Sequence, residues 1–324
     1  MKAAVLHQLG QAPRYEDFPD PVPGDPNQIL ITVKAASVKN LDKGRAGGAH
    51  YASHENLPEV VGVDGMGILA DGTRVYAAGI TGMIAQKALI DKNKYTIVPD
   101  QIDDITAAAL PNAIMGAALA LKYRGEIKAG DTVLINGATG VTGQAAIQIA
   151  KYYGAGKVIA TGRNPASLQA LLSLGADEII SLKDGDEAIT HQIKAIHGRH
   201  PIDFVIDYTW GHPAEIILGA LKGGGLHHVT NKVRYVTVGS MAGEHIQLPS
   251  GLLRSSAIEI LGSGFGSIPA EAMKKMPSET LPEMFQLAAN GKLKIDTVTG
   301  ALKDIETAWQ EHIPAGKRLV IVIE

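Results

Sequence analysis

The sequence predicts an α/β protein in two parts, a mostly-β stretch followed by a doubly wound parallel sheet. Three observations carry this. Residues 1–113 are broken into short β-like runs and turns. Beyond about Thr106, apolar strands alternate with helical runs. One of those strands, TVLIN, feeds a glycine turn that opens a helix.

In the first part the β-like runs are MKAAVL, QILITVKAAS and VVGVDGMGILADGTRVYAAG, and five prolines between Pro13 and Pro26 keep that stretch extended. In the second the strands DTVLIN, KVIATG, EIISL, PIDFVIDYT and RYVTVGS alternate with QAAIQIAKYYG, PASLQALLSLG, AITHQIKAIHG and AEIILGALKGG. This is βαβ texture, and TVLI and FVI suit burial on both sheet faces. The tail from Leu281 holds two helical runs and a final strand.

Composition narrows the function. The chain has 324 residues, 45% apolar and 19% charged, with net charge −3. That is globular and offers no basic field for nucleic acid. With no cysteine, disulfides, thiolate catalysis and cysteine-ligated metals are excluded. The short apolar start before His7 argues against a signal peptide, and no uninterrupted apolar run of about 18 residues predicts a membrane span. A soluble cytoplasmic protein is expected.

The glycine turn is the sharpest signal. Gly137, Gly140 and Gly143 follow a strand and precede a helix. The first permits a tight turn, the second lets backbone approach a diphosphate, and the third lets helix and strand pack closely. The helix N-terminus adds free N–H groups and a partial positive charge. Gly137, Ala138, Thr139, Gly140, Val141, Thr142 and Gly143 are therefore expected to cradle a dinucleotide. The Gln144 after Gly143 is wrong for a Walker-type loop.

The dinucleotide is expected to be NADPH. NAD enzymes of this build place an acid about 20 residues on, but no Asp or Glu lies between Thr132 and Ala176. The second strand ends instead in Gly162, Arg163 and Asn164: room, a cation for a 2′-phosphate, and hydrogen bonds. Lys183 supplies a second cation. Tyr153 and Lys157 have Tyr-x-x-x-Lys spacing, but Gly154 and Gly156 between them mark a helix end rather than a catalytic pair.

AGDTVLINGATGVTGQAAIQIAK, LGADEIISL and PAGKRLVIVIE resemble the medium-chain dehydrogenase/reductase superfamily, and most closely its zinc-free quinone oxidoreductase branch, which includes zeta-crystallin. SVKNLDKGRAG with LPEVVGVDGMGIL resembles the superfamily's GroES-like domain, and AAALPNAIMGAALAL the crossing segment. The resemblance implies a GroES-like mostly-β catalytic domain at 1–113, a Rossmann doubly wound parallel-sheet coenzyme domain at 114–262, and a return to the catalytic domain at 263–324. It implies a homodimer, with LGSGFGS beside the nicotinamide or as the dimer-edge strand.

Set against the zinc members, this chain has Lys39 at the cysteine-ligand position and Val63 at the histidine-ligand position, and it lacks the structural-zinc loop. No metal is expected. His50, His54, His197, His200, His227 and His228 read as surface or packing residues. The resemblance then implies hydride transfer from NADPH to a small acceptor electrophilic without a metal, a quinone or α,β-unsaturated carbonyl. Alternatives are a coenzyme-binding crystallin-like or regulatory protein, or a reductase of another carbonyl or an acyl thioester.

Candidate catalytic residues are Lys39, whose ammonium could stabilise an oxyanion, Tyr51, and Asp42, with Asp64 in support. The alternative for Lys39 is a surface lysine or a partner of Asp42. Asn112 and the turn Val238, Gly239 and Ser240 should border the nicotinamide. Gly116 stands where relatives commonly carry a threonine that contacts the ring, so Asn112 or water would replace it. The run GGGLHHVTNKVRYVTVGS carries extra residues in a loop, 223–234, of unassigned role.

Elemental analysis of the purified protein should find well under one zinc per chain, and activity should survive a strong chelator. Stoichiometric zinc whose removal abolishes activity would overturn the metal-free reading.

Overall fold

The computed structural model describes residues 1–48, 52–223, 231–264 and 266–324. The chain forms two compact units, Met1–Pro111 with Lys274–Glu324, and Asn112–Met273. The resemblance placed the crossings at 113/114 and 262/263.

The first unit is mostly β. Its strands are Lys2–Leu6 (β1), Arg14–Asp17 (β2), Gln28–Val38 (β3), Glu59–Val60 (β4), Asp64–Ile68 (β5), Arg74–Gly79 (β6) and Lys87–Ile97 (β7), with Asp296–Ala301 (β14) and Lys317–Val322 (β15) from the tail. β1 lies between β2 and β4 in a small sheet, and the larger sheet runs β14-β15-β3-β5-β6-β7. The 11-residue strand β3 is long enough to serve three neighbours. Its first half pairs with β7, a bulge between Val33 and Ala35 interrupts its pairing with β5, and its end pairs with β15. The β3–β7 pairing folds the sheet into a barrel-like form around Leu6, Ile31, Val33, Ile84, Ile90 and Leu319. β14, parallel to β15, is a strand the sequence reading did not pick out of IDTVTGA. It is short and mixed in polarity, so its pairing partner, not its composition, makes it a strand.

The second unit is a six-stranded parallel sheet: Thr132–Asn136 (β8), Lys157–Gly162 (β9), Glu178–Ser181 (β10), Phe204–Asp207 (β11), Val233–Thr237 (β12) and Ile258–Gly262 (β13). Their order is β10-β9-β8-β11-β12-β13, the doubly wound order in which the chain reverses direction between β8 and β11. Every residue of β8 and β11 is buried, as their unbroken apolar runs require.

Six helices matter here: Asn40–Gly47 (α1), Asp104–Ile114 (α2), Val141–Tyr152 (α3), Pro165–Ala170 (α4), Asp186–Arg199 (α5) and Gly211–Ala220 (α6). α2 contains Pro111, which cannot donate, and continues as a π-helix over Met115–Arg124. Together they make a 21-residue helix apolar enough by composition to cross a membrane, but its most apolar stretch is 67% buried within the protein. Core packing accounts for that apolarity. Tyr153 closes α3, while Lys157 opens β9 and pairs with Glu178, so these two do not share a helical face.

Candidate active site

Three glycines shape the turn between β8 and α3, and the chain itself requires two of them. Gly137 has φ +79°, and a Cβ there would lie 2.6 Å from Thr209 Cγ2. A Cβ on Gly143 would lie 2.6 Å from Ala138 Cα and 2.8 Å from Gly137 O, so this glycine lets the helix press onto the turn. Gly140 is different. It caps the 12-residue helix α3 with ordinary extended backbone, and a Cβ there would meet only Gly137 O at 3.7 Å. Nothing in the fold needs a glycine at 140. What its missing side chain leaves is open backbone at a helix N-terminus, the cradle a diphosphate fits.

A buried polar network fixes that turn from below, and the sequence reading missed it. Asp207, at the end of β11, is fully buried. Its Oδ1 accepts from Asn136 Nδ2 (2.9 Å), Thr209 N (2.8 Å), Thr209 Oγ1 (2.9 Å) and Trp210 N (3.1 Å), and its Oδ2 from Tyr235 OH (2.7 Å). Asn136 Oδ1 accepts from Thr161 Oγ1 (2.7 Å), which accepts in turn from Gly137 N (3.2 Å). The carboxyl ends of β8, β9, β11 and β12 are thereby tied together. Burial, then Asp207, pushes the Tyr235 phenol well above its ordinary pKa, so it stays a donor. Trp210 sits at φ +51°, a conformation costly for a bulky residue, held by its N–H to Asp207 and by edge-on packing of its ring on Tyr235 at 6.2 Å. The one signal in the sequence was an acid closing the wholly apolar run FVI.

The residues expected at the adenosine end follow β9 and β10. Arg163 is exposed, and its guanidinium makes no ion pair or hydrogen bond to a described residue; the same holds for the Lys183 ammonium after β10. Asn164 caps α4, its Oδ1 accepting from Ser167 N at 3.0 Å, which leaves only its amide NH₂ for a ligand. Gly162 does not simply leave room: a Cβ there would lie 2.5 Å from Thr139 Cγ2, so Thr139 already fills that space.

On the other side of the turn, Val238 N and Gly239 N both donate to Asp207 O, and Ser240 Oγ donates to Glu244 Oε1 at 2.5 Å. The Ser240 hydroxyl is therefore engaged. Asn112 lies half-buried in α2.

Lys39 and Asp42 belong to the first unit. Lys39 precedes α1, its side chain 1% exposed, and its ammonium lies 2.8 Å from Asp64 Oδ1, 3.2 Å from Asp42 Oδ2, 3.0 Å from Ser37 O and 3.3 Å from Ser37 Oγ. An ammonium has three protons, and these four acceptors take them all. The pairing with Asp42 is present, but Lys39 is not on the surface. Burial pushes its pKa down, yet Asp42 and Asp64 outweigh burial and hold it above the ordinary value, while burial pushes the Asp64 carboxyl up. Asp42 also accepts from the backbone of Lys39 and Val63, both at 2.9 Å, so the cluster pins α1 to the loop entering β5. His54 is buried, with Nδ1 2.8 Å from Glu59 Oε2. Tyr51, like His50, His227 and His228, lies outside the described residues.

A family model described as zinc-binding dehydrogenase matches residues 141–290. A probable NADPH-dependent quinone reductase of Emericella nidulans, tdiC, is 28% identical over 96% of each chain. In sequence the chain is similar to members of the medium-chain dehydrogenase/reductase superfamily. Relatives named as quinone reductases or quinone oxidoreductases are prominent among the matches. The quinone oxidoreductase of Sus scrofa is 28% identical over 91% of this chain and 87% of its own. A quinone oxidoreductase of Thermus thermophilus, solved with and without NADPH, is 26% identical, with a TM-score of 0.81, over 99% of this chain and 100% of its own. These relatives support an oxidoreductase that binds a nicotinamide coenzyme.

Two experiments separate fold from function here. Gly143→Ala forces a methyl into backbone and should destabilise the protein by about 1–3 kcal/mol, whereas Gly140→Val should leave the circular dichroism and melting temperature near wild type and abolish coenzyme binding. A Gly140→Val protein with wild-type coenzyme affinity would make the turn purely structural.

Lys39→Met strands two buried carboxylates and should cost about 3–5 kcal/mol in denaturant unfolding; adding Asp64→Asn should recover part of it. Unchanged stability with a slower reaction would instead return the ammonium to the acceptor oxygen.

Proposed function

We propose that this oxidoreductase transfers hydride from NADPH to a quinone or an α,β-unsaturated carbonyl, without zinc. One observation carries the choice of coenzyme: an open diphosphate cradle at Gly140 beside two cations, Arg163 and Lys183, that no described residue neutralises, with no acid between Thr132 and Ala176. A ribose 2′-hydroxyl would want a carboxylate there; a 2′-phosphate wants cations. The names of the Emericella and Thermus relatives point the same way.

NADPH, when bound, supplies the hydride. The residues of this chain do the rest. The first-turn N–H groups of α3 hold the diphosphate, while Arg163, Lys183 and the Asn164 amide hold the 2′-phosphate. Val238 and Gly239, fixed by Asp207 O, border the ring. Lys39 acts through Asp42 and Asp64 as a positioning residue, because its protons are already committed. With Lys39 and Val63 at the two ligand positions, the acceptor must be electrophilic in itself, which favours quinones and enones over simple ketones. Among the described residues β13 pairs only with β12, and its other edge is where a second copy would add to form a homodimer.

NADPH oxidation against a panel of quinones and enones tests the acceptor class. For the coenzyme, Arg163→Ala should weaken NADPH by about 1.5–3 kcal/mol and leave NADH little changed. A wild-type preference for NADH, or equal weakening of both, would overturn the assignment.

A further inference from the structure

The turn between β8 and α3 carries two threonines, and they face opposite ways. Thr139 packs toward β9: its Cγ2 would lie 2.5 Å from a Cβ on Gly162. Thr142, in the first turn of α3, packs toward the far side: its Cγ2 would lie 2.8 Å from a Cβ on Gly116, with Val238 Cγ1 at 3.9 Å. Gly116 sits in the first turn of the π-helix, and Val238 directly follows β12. Tyr208 fixes this convergence, its buried phenol donating to Gly116 O at 3.0 Å. Burial alone pushes that phenol well above its ordinary pKa, so it remains a donor.

A dinucleotide in a doubly wound sheet lies across the carboxyl ends of the strands, one half on each side of the reversal point, with its diphosphate at the first helix. Resting on the assignment above, Arg163 at the end of β9 marks the 2′-phosphate half. The nicotinamide half must then lie toward β11 and β12, the side that Thr142 faces. That ring is flat and apolar apart from its carboxamide, so a hydrogen bond to the carboxamide is what sets which face meets the acceptor. Gly116 offers no side chain for this. The Thr142 hydroxyl, in a partly exposed residue, makes no hydrogen bond to any described residue.

We infer that Thr142 is a coenzyme-positioning residue of the nicotinamide end, its hydroxyl bonding the carboxamide where Gly116 cannot. The glycine at 116 is the steric counterpart of this choice: Thr142 occupies the space that a side chain at 116 would need.

The test compares two probes by fluorescence titration and calorimetry, NADPH and 2′-phospho-ADP-ribose, which keeps the diphosphate and 2′-phosphate but lacks the nicotinamide. Thr142→Val, close to isosteric, should weaken NADPH about tenfold, a typical net hydrogen bond. It should leave 2′-phospho-ADP-ribose binding and the melting temperature unchanged, and Thr142→Ser, which keeps the hydroxyl, should bind NADPH as wild type does. Equal weakening of both probes would make Thr142 a diphosphate or structural residue and overturn the inference. So would unchanged NADPH affinity in Thr142→Val, or a Thr142→Ser as weak as the valine variant. Wild-type protein that binds neither probe would overturn the coenzyme reading itself, and the inference with it.

Discussion

Five hydrogen bonds converge on the buried carboxylate of Asp207, and the coenzyme half of the molecule is organised around them. Burying a carboxylate without partners costs several kcal/mol, so these hydrogen bonds are what the site requires. Its partners come from β8, β12 and the loop after β11, so satisfying one side chain fixes the relative height of the strand ends. The glycine turn inherits its position from Asn136 and Thr161. The loop after β11 inherits its own from Thr209 and Trp210, whose disfavoured backbone persists only because the carboxylate and Tyr235 hold it. A diphosphate turn must present its N–H groups in one arrangement to be of use, and this network supplies that rigidity without a contact to the ligand.

The first unit solves a related problem with opposite charges. Lys39, Asp42 and Asp64 are each buried, and each would be intolerable alone. The ammonium offsets part of the carboxylate charge, and the cluster ties α1 to the entry of β5. Here an ammonium carries the positive charge on a flexible stem, and its protons are spent within the protein. A lysine at this position reads as a catalytic cation from sequence, whereas the structure surrounds its ammonium with four acceptors from the protein itself.

The sheet of the second unit was largely legible. Short apolar runs such as VLI, VIA and FVI, separated by helical periods and glycines, leave few alternatives to a parallel sheet, and the strand–turn–helix context made the glycine spacing meaningful. The absence of acids between Thr132 and Ala176 was equally readable, since it needs no coordinates. Harder were elements defined by a partner. β14 lacks a strong pattern and exists because β15 offers it an edge. The membrane-length helix Asp104–Arg124 looks continuous in composition, but only packing explains its apolarity, and its π-helical half is not encoded by any local signal.

By itself, then, the sequence determined the local chemistry of this protein: the alternation of strands and helices in the second unit, the glycines, the missing cysteines, and the cations after β9 and β10. These follow from periodicity, backbone freedom and charge, which act over a few residues. Tertiary structure alone decided which of those residues the fold itself needs. It separated Gly137 and Gly143, required by neighbouring atoms, from Gly140, required by none. It showed that Gly162 makes room for Thr139, that Asn164 is half committed to a helix cap, and that Thr139 and Thr142 face opposite sides of the same turn. Each distinction depends on which atoms lie within about 4 Å, and those atoms come from strands and loops far apart in the chain.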